Sequence, residues 1–455
     1  MKVLLLRLPP PRQTIGLQHV MLCEPLELEI LAAAVRDLAV DLDVVDMMLD
    51  RRPLRAVLRA APPDLVAMSG YITHIPVIKA AAREIHQLLP DCKVIVGGIH
   101  AEVCPQDVDD PHIDFIVAAN GWQVFREIVR RLAGGENPWG APLPVGLWRR
   151  GESLPEPDFT AMPPPPDRAI TQKYRHHYYY LFHKPCALMK TSYGCPYGCR
   201  FCFCREITRH RYTERPMDAV IAELRDIAEP DVYIVDDNFL VSRERVLDFC
   251  QRVREAGILK RYLIYGRADF IAANPDVLST LRKAGLRAVI VGLESCAADE
   301  LDAYAKQTTT AQNEEAVAVL ADLGVDCYAT LILGTDWNRT QFRKLGDWLQ
   351  RLGLQYVNLQ PFTPLPGTEP YAEYAGRLIT HDPAQWDLAH LVVVPGRLSL
   401  SAYYWEIIRL YWRLALRPAT MVKHCRAYGV RQTLRLGLGA TRVTWQYLGN
   451  VVRSL

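Results

Sequence analysis

Cys195-Pro196-Tyr197-Gly198-Cys199-Arg200-Phe201-Cys202 follows directly on Ala187-Leu188-Met189-Lys190-Thr191, which the pattern predicts to be a strand. Three thiolates this close together can wrap one corner of a cubane iron–sulfur cluster, and they can hold only three of its four irons. The fourth iron is left open, as a catalytic metal must be if a substrate is to bind it. A zinc knuckle or ordinary buried thiols is the competing reading. Zinc needs a fourth Cys or His, and Cys204 and His210 are close in sequence. The C-x2-C-x2-C-x3-C run of a simple ferredoxin is absent around Cys195.

Outward from this loop, short β-rich segments recur at Val232–Val235, Leu263–Tyr265, Ala288–Val291, Tyr328–Leu333 and Tyr356–Leu359, with helical stretches between them. With Ala187–Thr191 they predict six parallel strands of an incomplete α/β barrel, whose active site lies at the strand C-termini. Those ends carry Asp236-Asp237-Asn238, then Arg267, Glu294 and Gly334, and finally the stretch Gln360–Thr368 with Pro364 in it. Arg267 has the planar fork that grips a carboxylate in two places. Taken singly, each polar residue could equally be a loop cap.

The C-x3-C-x-aromatic-C spacing, followed by these strand ends in order, resembles the radical S-adenosylmethionine (SAM) superfamily. The resemblance implies a [4Fe–4S] cluster on Cys195, Cys199 and Cys202, with SAM chelated at the open iron and cleaved to a 5′-deoxyadenosyl radical. It further implies an external electron donor such as flavodoxin or ferredoxin. Asp236 and Asp237 stand where many relatives carry a Gly-Gly-Glu that binds the methionine amino group. Glu294 falls where an acid accepts hydrogen bonds from the cofactor, Gly334 ends the fifth strand, and the Pro364 segment resembles one lining the adenine.

Ahead of the barrel the chain alternates strand-like Val3–Leu6, Leu42–Val45, Leu65–Met68, Val94–Val96 and Phe115–Val117 with helix-like stretches such as Leu26–Leu38 and Ile75–Leu89. This predicts a parallel sheet with helices on both faces and ligands at the strand ends. Here those ends carry Ser69-Gly70-Tyr71, Gly97-Gly98-Ile99-His100 and Asn120-Gly121. The domain resembles the cobalamin-binding domain of a large radical SAM subgroup. The implied organisation is a Rossmann-like cobalamin-binding domain (1–135), a Pro-rich linker (136–185), a partial (β/α)6 radical SAM barrel (186–380) and a basic helical C-terminal region (381–455). Methionine-synthase-like domains use D-x-H-x-x-G to ligate cobalt. The nearest approach is Asp110-Pro111-His112-Ile113-Asp114-Phe115, so cobalamin is expected base-off with no protein His ligand. Ala119-Asn120-Gly121-Trp122 departs from the Gly-Glu-Gly-Glu of many relatives.

Cobalamin beside a radical generator implies methylation of an unactivated carbon. The segments Tyr174–Cys186, Cys202–Arg205 and Leu359–Pro364 are most similar to the hopanoid C-3 methylase branch, which implies an apolar substrate of the kind found among membrane lipids. Two other classes stay open: a cobalamin-dependent cyclase or oxidase without net methyl transfer, and a non-enzymatic metal sensor or electron carrier. The Tyr174–Cys186 tract either lines a substrate channel or packs between domains.

Composition sets bounds on partners and location. Lys plus Arg (53) nearly cancels Asp plus Glu (51), so no nucleic-acid partner is expected. Twelve cysteines in a chain of 455 residues read as reduced thiols or metal ligands. The apolar N-terminal run stops at Arg7, and no stretch reaches the roughly 18 apolar residues of a spanning helix. The expectation is a cytoplasmic protein, at most peripheral to a membrane. From Ile407 onward there are nine basic residues and no acidic one, which predicts a basic helical face, suited either to an anionic membrane or to capping the barrel.

Overall fold

The computed structural model describes residues 1–15, 20–415, 425 and 429–453. Two compact units result. Met1–Thr14, Glu24–His176 and Asp382–Asp387 form the first, and Ile15–Cys23, His177–His381 and Leu388–Leu455 the second.

In the first unit the apolar runs form β1 (Lys2–Arg7), β2 (Asp41–Asp46), β3 (Leu65–Ser69), β4 (Lys93–Gly97) and β5 (Phe115–Val117). They pair in parallel in the order β2-β1-β3-β4-β5. A short strand the sequence pattern does not predict, β6 (Leu147–Trp148), adds antiparallel beside β5. Alternate residues enter opposite cores. Leu4, Leu6, Val66 and Met68 pack on helix α2 (Ile75–Leu88), whereas Val3, Leu5, Leu65 and Ala67 pack on α1 (Leu26–Ala34) and α3 (Gly121–Ala133). Burial on both faces is why these strands read as continuous apolar runs rather than alternating ones. Helix α1 stops short of the predicted Leu38, because the chain tightens into turns in which Val35 N–H bonds Ala32 O and Leu38 N–H bonds Val35 O.

The second unit holds β7 (Cys186–Met189), β8 (Asp231–Ile234), β9 (Arg261–Gly266), β10 (Leu286–Glu294), β11 (Asp326–Leu333) and β12 (Tyr356–Pro361). All pair in parallel in chain order. The two end strands do not pair with each other, so the barrel is partial, as predicted. Val232, Ile234, Val289, Val291, Leu331 and Leu333 face the surrounding helices, which turns the alternate positions inward.

Helices α4 (Leu400–Ala415) and α5 (Val430–Arg453) complete this unit, with Ile407, Ile408 and Tyr447 in the same core. Of the nine basic residues singled out in this region, Arg417, Lys423 and Arg426 lie outside the described residues. Among the described residues, no helix is long and apolar enough to cross a membrane.

Candidate functional site

The cysteine loop leaves β7 through Ser192–Tyr193, which pairs with Thr213–Glu214. Gly194 turns the chain at φ +80°, where a Cβ would sit 2.0 Å from the Arg211 carbonyl oxygen, so only glycine fits. Cys199 is buried, and Cys195 and Cys202 are half-buried. Burial pushes the Cys195 thiol up to about 11, and the neighbouring Cys202 and Cys199 push the same way. A hydrogen bond with Cys204 pulls Cys202 down. Three neighbouring thiols on one loop suit a ligand whose own positive irons draw off their protons.

Arg267, at the end of β9, is buried and every arm of its fork is engaged. Nε and Nη2 each lie 3.0 Å from the Asp269 carboxylate, and Nη2 donates to Lys306 O at 2.7 Å. Nη1 points at Cys199 Sγ across 3.7 Å, and the guanidinium stacks 3.8 Å over the Tyr197 ring. The carboxylate in its fork is thus Asp269's own. Glu294, at φ +60°, pairs with buried Lys306 at 2.8 Å. Lys306 and Arg267 both draw the Cys199 thiol downward against burial, the larger effect. Two buried cations beside one thiol make a fit for an anionic cluster.

The structure separates the two acids after β8. Asp236 is buried and accepts from Thr191 N at 2.6 Å, Thr191 Oγ1 at 2.5 Å and Ser192 Oγ at 2.8 Å, pinning the start of the cysteine loop. Asp237 accepts from Gly194 N at 2.9 Å and lies 3.8 Å from Lys190 Nζ. Gly334 makes room for Trp337, whose Nε1 would be 2.4 Å from an added Cβ. Pro364 is buried. Half-buried Thr330, Asn358 and Gln360 occupy inward positions on β11 and β12, and Thr330 pairs in register with Asn358.

The aromatic tract closes the floor of this barrel. Tyr180 stacks on Tyr328 at 6.1 Å, Phe182 meets Tyr356 edge-on at 5.7 Å, and His183 Nδ1 lies 3.1 Å from Asp231. Within this unit these residues are packing.

At the strand ends of the first unit, Gly98 sits at φ +101°, and its Cβ would be 2.6 Å from Ser69 Oγ and 2.9 Å from Gly70 N. The β3 and β4 ends are therefore in contact. Tyr71 is exposed. Asn120, in the left-handed region, donates to Val145 O and accepts from Asp158 N. Gly121 opens onto free space, with no atom within 4 Å of an added Cβ. A glycine-lined rim with an open side fits a large planar ligand at the carboxyl ends of the strands. His100 is buried with Nε2 2.9 Å from Asp107, and His112 pairs with Asp110 at 2.9 Å.

Sequence reasoning passed over Lys306, Thr330, Asn358 and His74. Inward alternation along β11 and β12 could have found Thr330 and Asn358. His74 follows Tyr71 closely, and burial, aided by the charge on Arg7, holds it down at about 4, hence neutral.

Comparison with known families and structures agrees with this geometry. Residues 14–129 match the B12 binding domain and residues 189–349 the Radical SAM superfamily. The chain is a radical SAM enzyme with a B12-binding domain preceding the radical SAM domain. It is 29% identical over 95% of its length to the hopanoid C-3 methylase of Methylococcus capsulatus, covering 82% of that protein. It is 24% identical over 87% of its length to the anaerobic magnesium-protoporphyrin IX monomethyl ester cyclase of Cereibacter sphaeroides, covering 68% of it. Its fold is like that of the radical SAM methyltransferase TsrM from Kitasatospora setae, solved with cobalamin and a [4Fe–4S] cluster (TM-score 0.68, 17% identity, 98% of this chain and 99% of that one). The cobalamin-dependent radical enzyme OxsB, solved with aqua-cobalamin and SAM, is likewise similar in fold (TM-score 0.73, 15% identity, 98% and 72%).

Proposed function

We propose that the protein transfers a methyl group to an unactivated carbon of an apolar small molecule, a hopanoid at C-3 being the particular substrate to try. The observation that carries this is the pairing of a three-thiol radical SAM loop with a B12-binding domain in a chain resembling the hopanoid C-3 methylase over nearly its whole length. Bound in these sites, the cluster with SAM supplies a 5′-deoxyadenosyl radical and cobalamin supplies the methyl group.

The chain's own residues bind, orient and exclude water. Cys195, Cys199 and Cys202 hold the cluster, and Arg267 and Lys306 set positive charge beside it. Asp237, Thr330, Asn358 and Gln360 offer hydrogen-bonding partners to SAM on the inner side of the barrel. Tyr180, Phe182, Tyr328 and Tyr356 seal its floor against water. In this reading cobalamin is held base-off with no protein His ligand. The reading rests on the lack of a D-x-H-x-x-G run, and the expected EPR signal of reduced bound cobalamin shows no protein nitrogen splitting. A flavodoxin or ferredoxin would deliver the electron.

The test is anaerobic incubation of the reconstituted enzyme with methyl-labelled SAM, reductant and a hopanoid. One labelled methyl group on ring A is expected. A product of altered oxidation level with no label would favour the second reading, ring closure or oxidation, which the cyclase relatives keep open.

A further inference from the structure

Helix α5 buries Tyr447 and leaves its opposite side uncovered. Val430, Leu434, Leu438, Trp445 and Val452 are each at least 61% exposed. They follow one another at steps of four, four, seven and seven residues. At about 100° per residue these steps return to the same side, so all five fall within an arc of roughly 80°. Arg431 and Arg442, both exposed, and Arg453 lie along one edge of that arc. Arg435, nearer the unit's body, bonds Leu181 O at 2.8 Å and stacks on Tyr179 at 3.9 Å, which fixes the helix in this rotation.

We infer that this face of α5 docks on an anionic lipid surface, with the helix lying in the interface. Isolated exposed leucines are ordinary, but a continuous apolar stripe marks an interaction site. Its charge selects the occupant. A stripe edged by arginines, in a segment with no acidic residue after Glu406, complements anionic headgroups, while the tryptophan suits the boundary between headgroup and acyl chain. The helix has 24 residues, a length of roughly 36 Å at 1.5 Å per residue. It is not apolar enough to span a bilayer, so it lies on the surface. The inference rests on the reading of an apolar, lipid-like substrate, which a surface-docked enzyme would take directly from the bilayer.

The full-length, reconstituted protein is floated with vesicles of phosphatidylcholine alone and of phosphatidylcholine mixed with phosphatidylglycerol. Flotation is expected with the anionic vesicles, weakened about tenfold by Arg431→Gln with Arg442→Gln. It should be abolished at all lipid compositions by Leu438→Ser with Trp445→Ser, substitutions at exposed sites. As a second measurement, wild-type flotation on anionic vesicles should fall steeply with added salt. Failure of the wild type to float overturns the inference, as does flotation indifferent to both double variants. A dimer in solution that the Leu438→Ser, Trp445→Ser pair dissolves would assign the face to a second copy instead. Flotation without hopanoid methylation would keep the docking face and remove the substrate reading.

Discussion

Arg267 shows how one side chain can set the behaviour of the whole site. Its charge lies 3.7 Å from Cys199 Sγ, and reducing a cluster adds one negative charge beside it. Charge and hydrogen bonds at the cysteine sulfurs are what tune cluster potentials. Arg267→Met is therefore predicted to lower the cluster midpoint potential about tenfold in equilibrium terms, or roughly 59 mV for one electron. Asp269→Asn should raise it, because the compensating carboxylate charge is gone; EPR-monitored redox titration reads both. Shifts of the same sign, or weakened SAM binding at constant potential, would return Arg267 to the role of carboxylate clamp. Asp236 and Asp237 divide in the same concrete way. Asp236→Ala strands three buried donors on Thr191 and Ser192, and is predicted to cost about 3 kcal/mol in denaturant unfolding of the metal-free protein. Asp237→Ala, which strands the Gly194 amide and removes the carboxylate 3.8 Å from Lys190, leaves one hydrogen-bond donor unmet rather than three and should cost less, about 1–2 kcal/mol. The radical SAM motif was legible because its spacing is local. Lys306 was not, since nothing in Ala305-Lys306-Gln307 distinguishes it until folding brings it against Glu294 and the Arg267 fork.

Among the elements, every predicted strand of both sheets is present, because runs buried on one or both faces must be apolar over several residues whatever follows them. The two-residue β6 carries no such signal, and only tertiary pairing with β5 reveals it. The end of α1 was likewise invisible: Arg36, Asp37 and Leu38 continue the helical pattern, but the turn at Val35 ends it. Glycines divide by conformation rather than by motif. Gly98→Ala forces a left-handed alanine into the Ser69 hydroxyl, and is predicted to destabilise the protein by about 1–3 kcal/mol and to weaken cobalamin retention, read by thermal melting and bound-cobalamin absorbance. Gly121→Ala meets nothing within 4 Å and should leave the melting temperature unchanged. Loss of cobalamin from that variant at unaltered stability would mark the opening as ligand space.

At the scale of the molecule, a doubly wound sheet with glycine-lined strand ends and a partial barrel with a three-cysteine loop at its first strand occupy one chain, and each matches its own family. The particular substrate was less legible than the chemistry. Cluster ligation depends on a short local motif, whereas substrate choice depends on a surface assembled from distant segments, and the relatives' names divide between methylation and ring closure. The central claim, that this chain uses both cofactors, is tested most directly by anaerobic reconstitution with iron, sulfide and hydroxocobalamin, followed by metal analysis and assay for 5′-deoxyadenosine. The account predicts a full [4Fe–4S] complement, stoichiometric cobalamin and reductant-dependent deoxyadenosine, with the cluster lost on replacing Cys195, Cys199 or Cys202 by Ala. A cluster that cleaves SAM without retaining cobalamin would contradict the methylation mechanism, and zinc in place of iron would contradict the radical chemistry altogether.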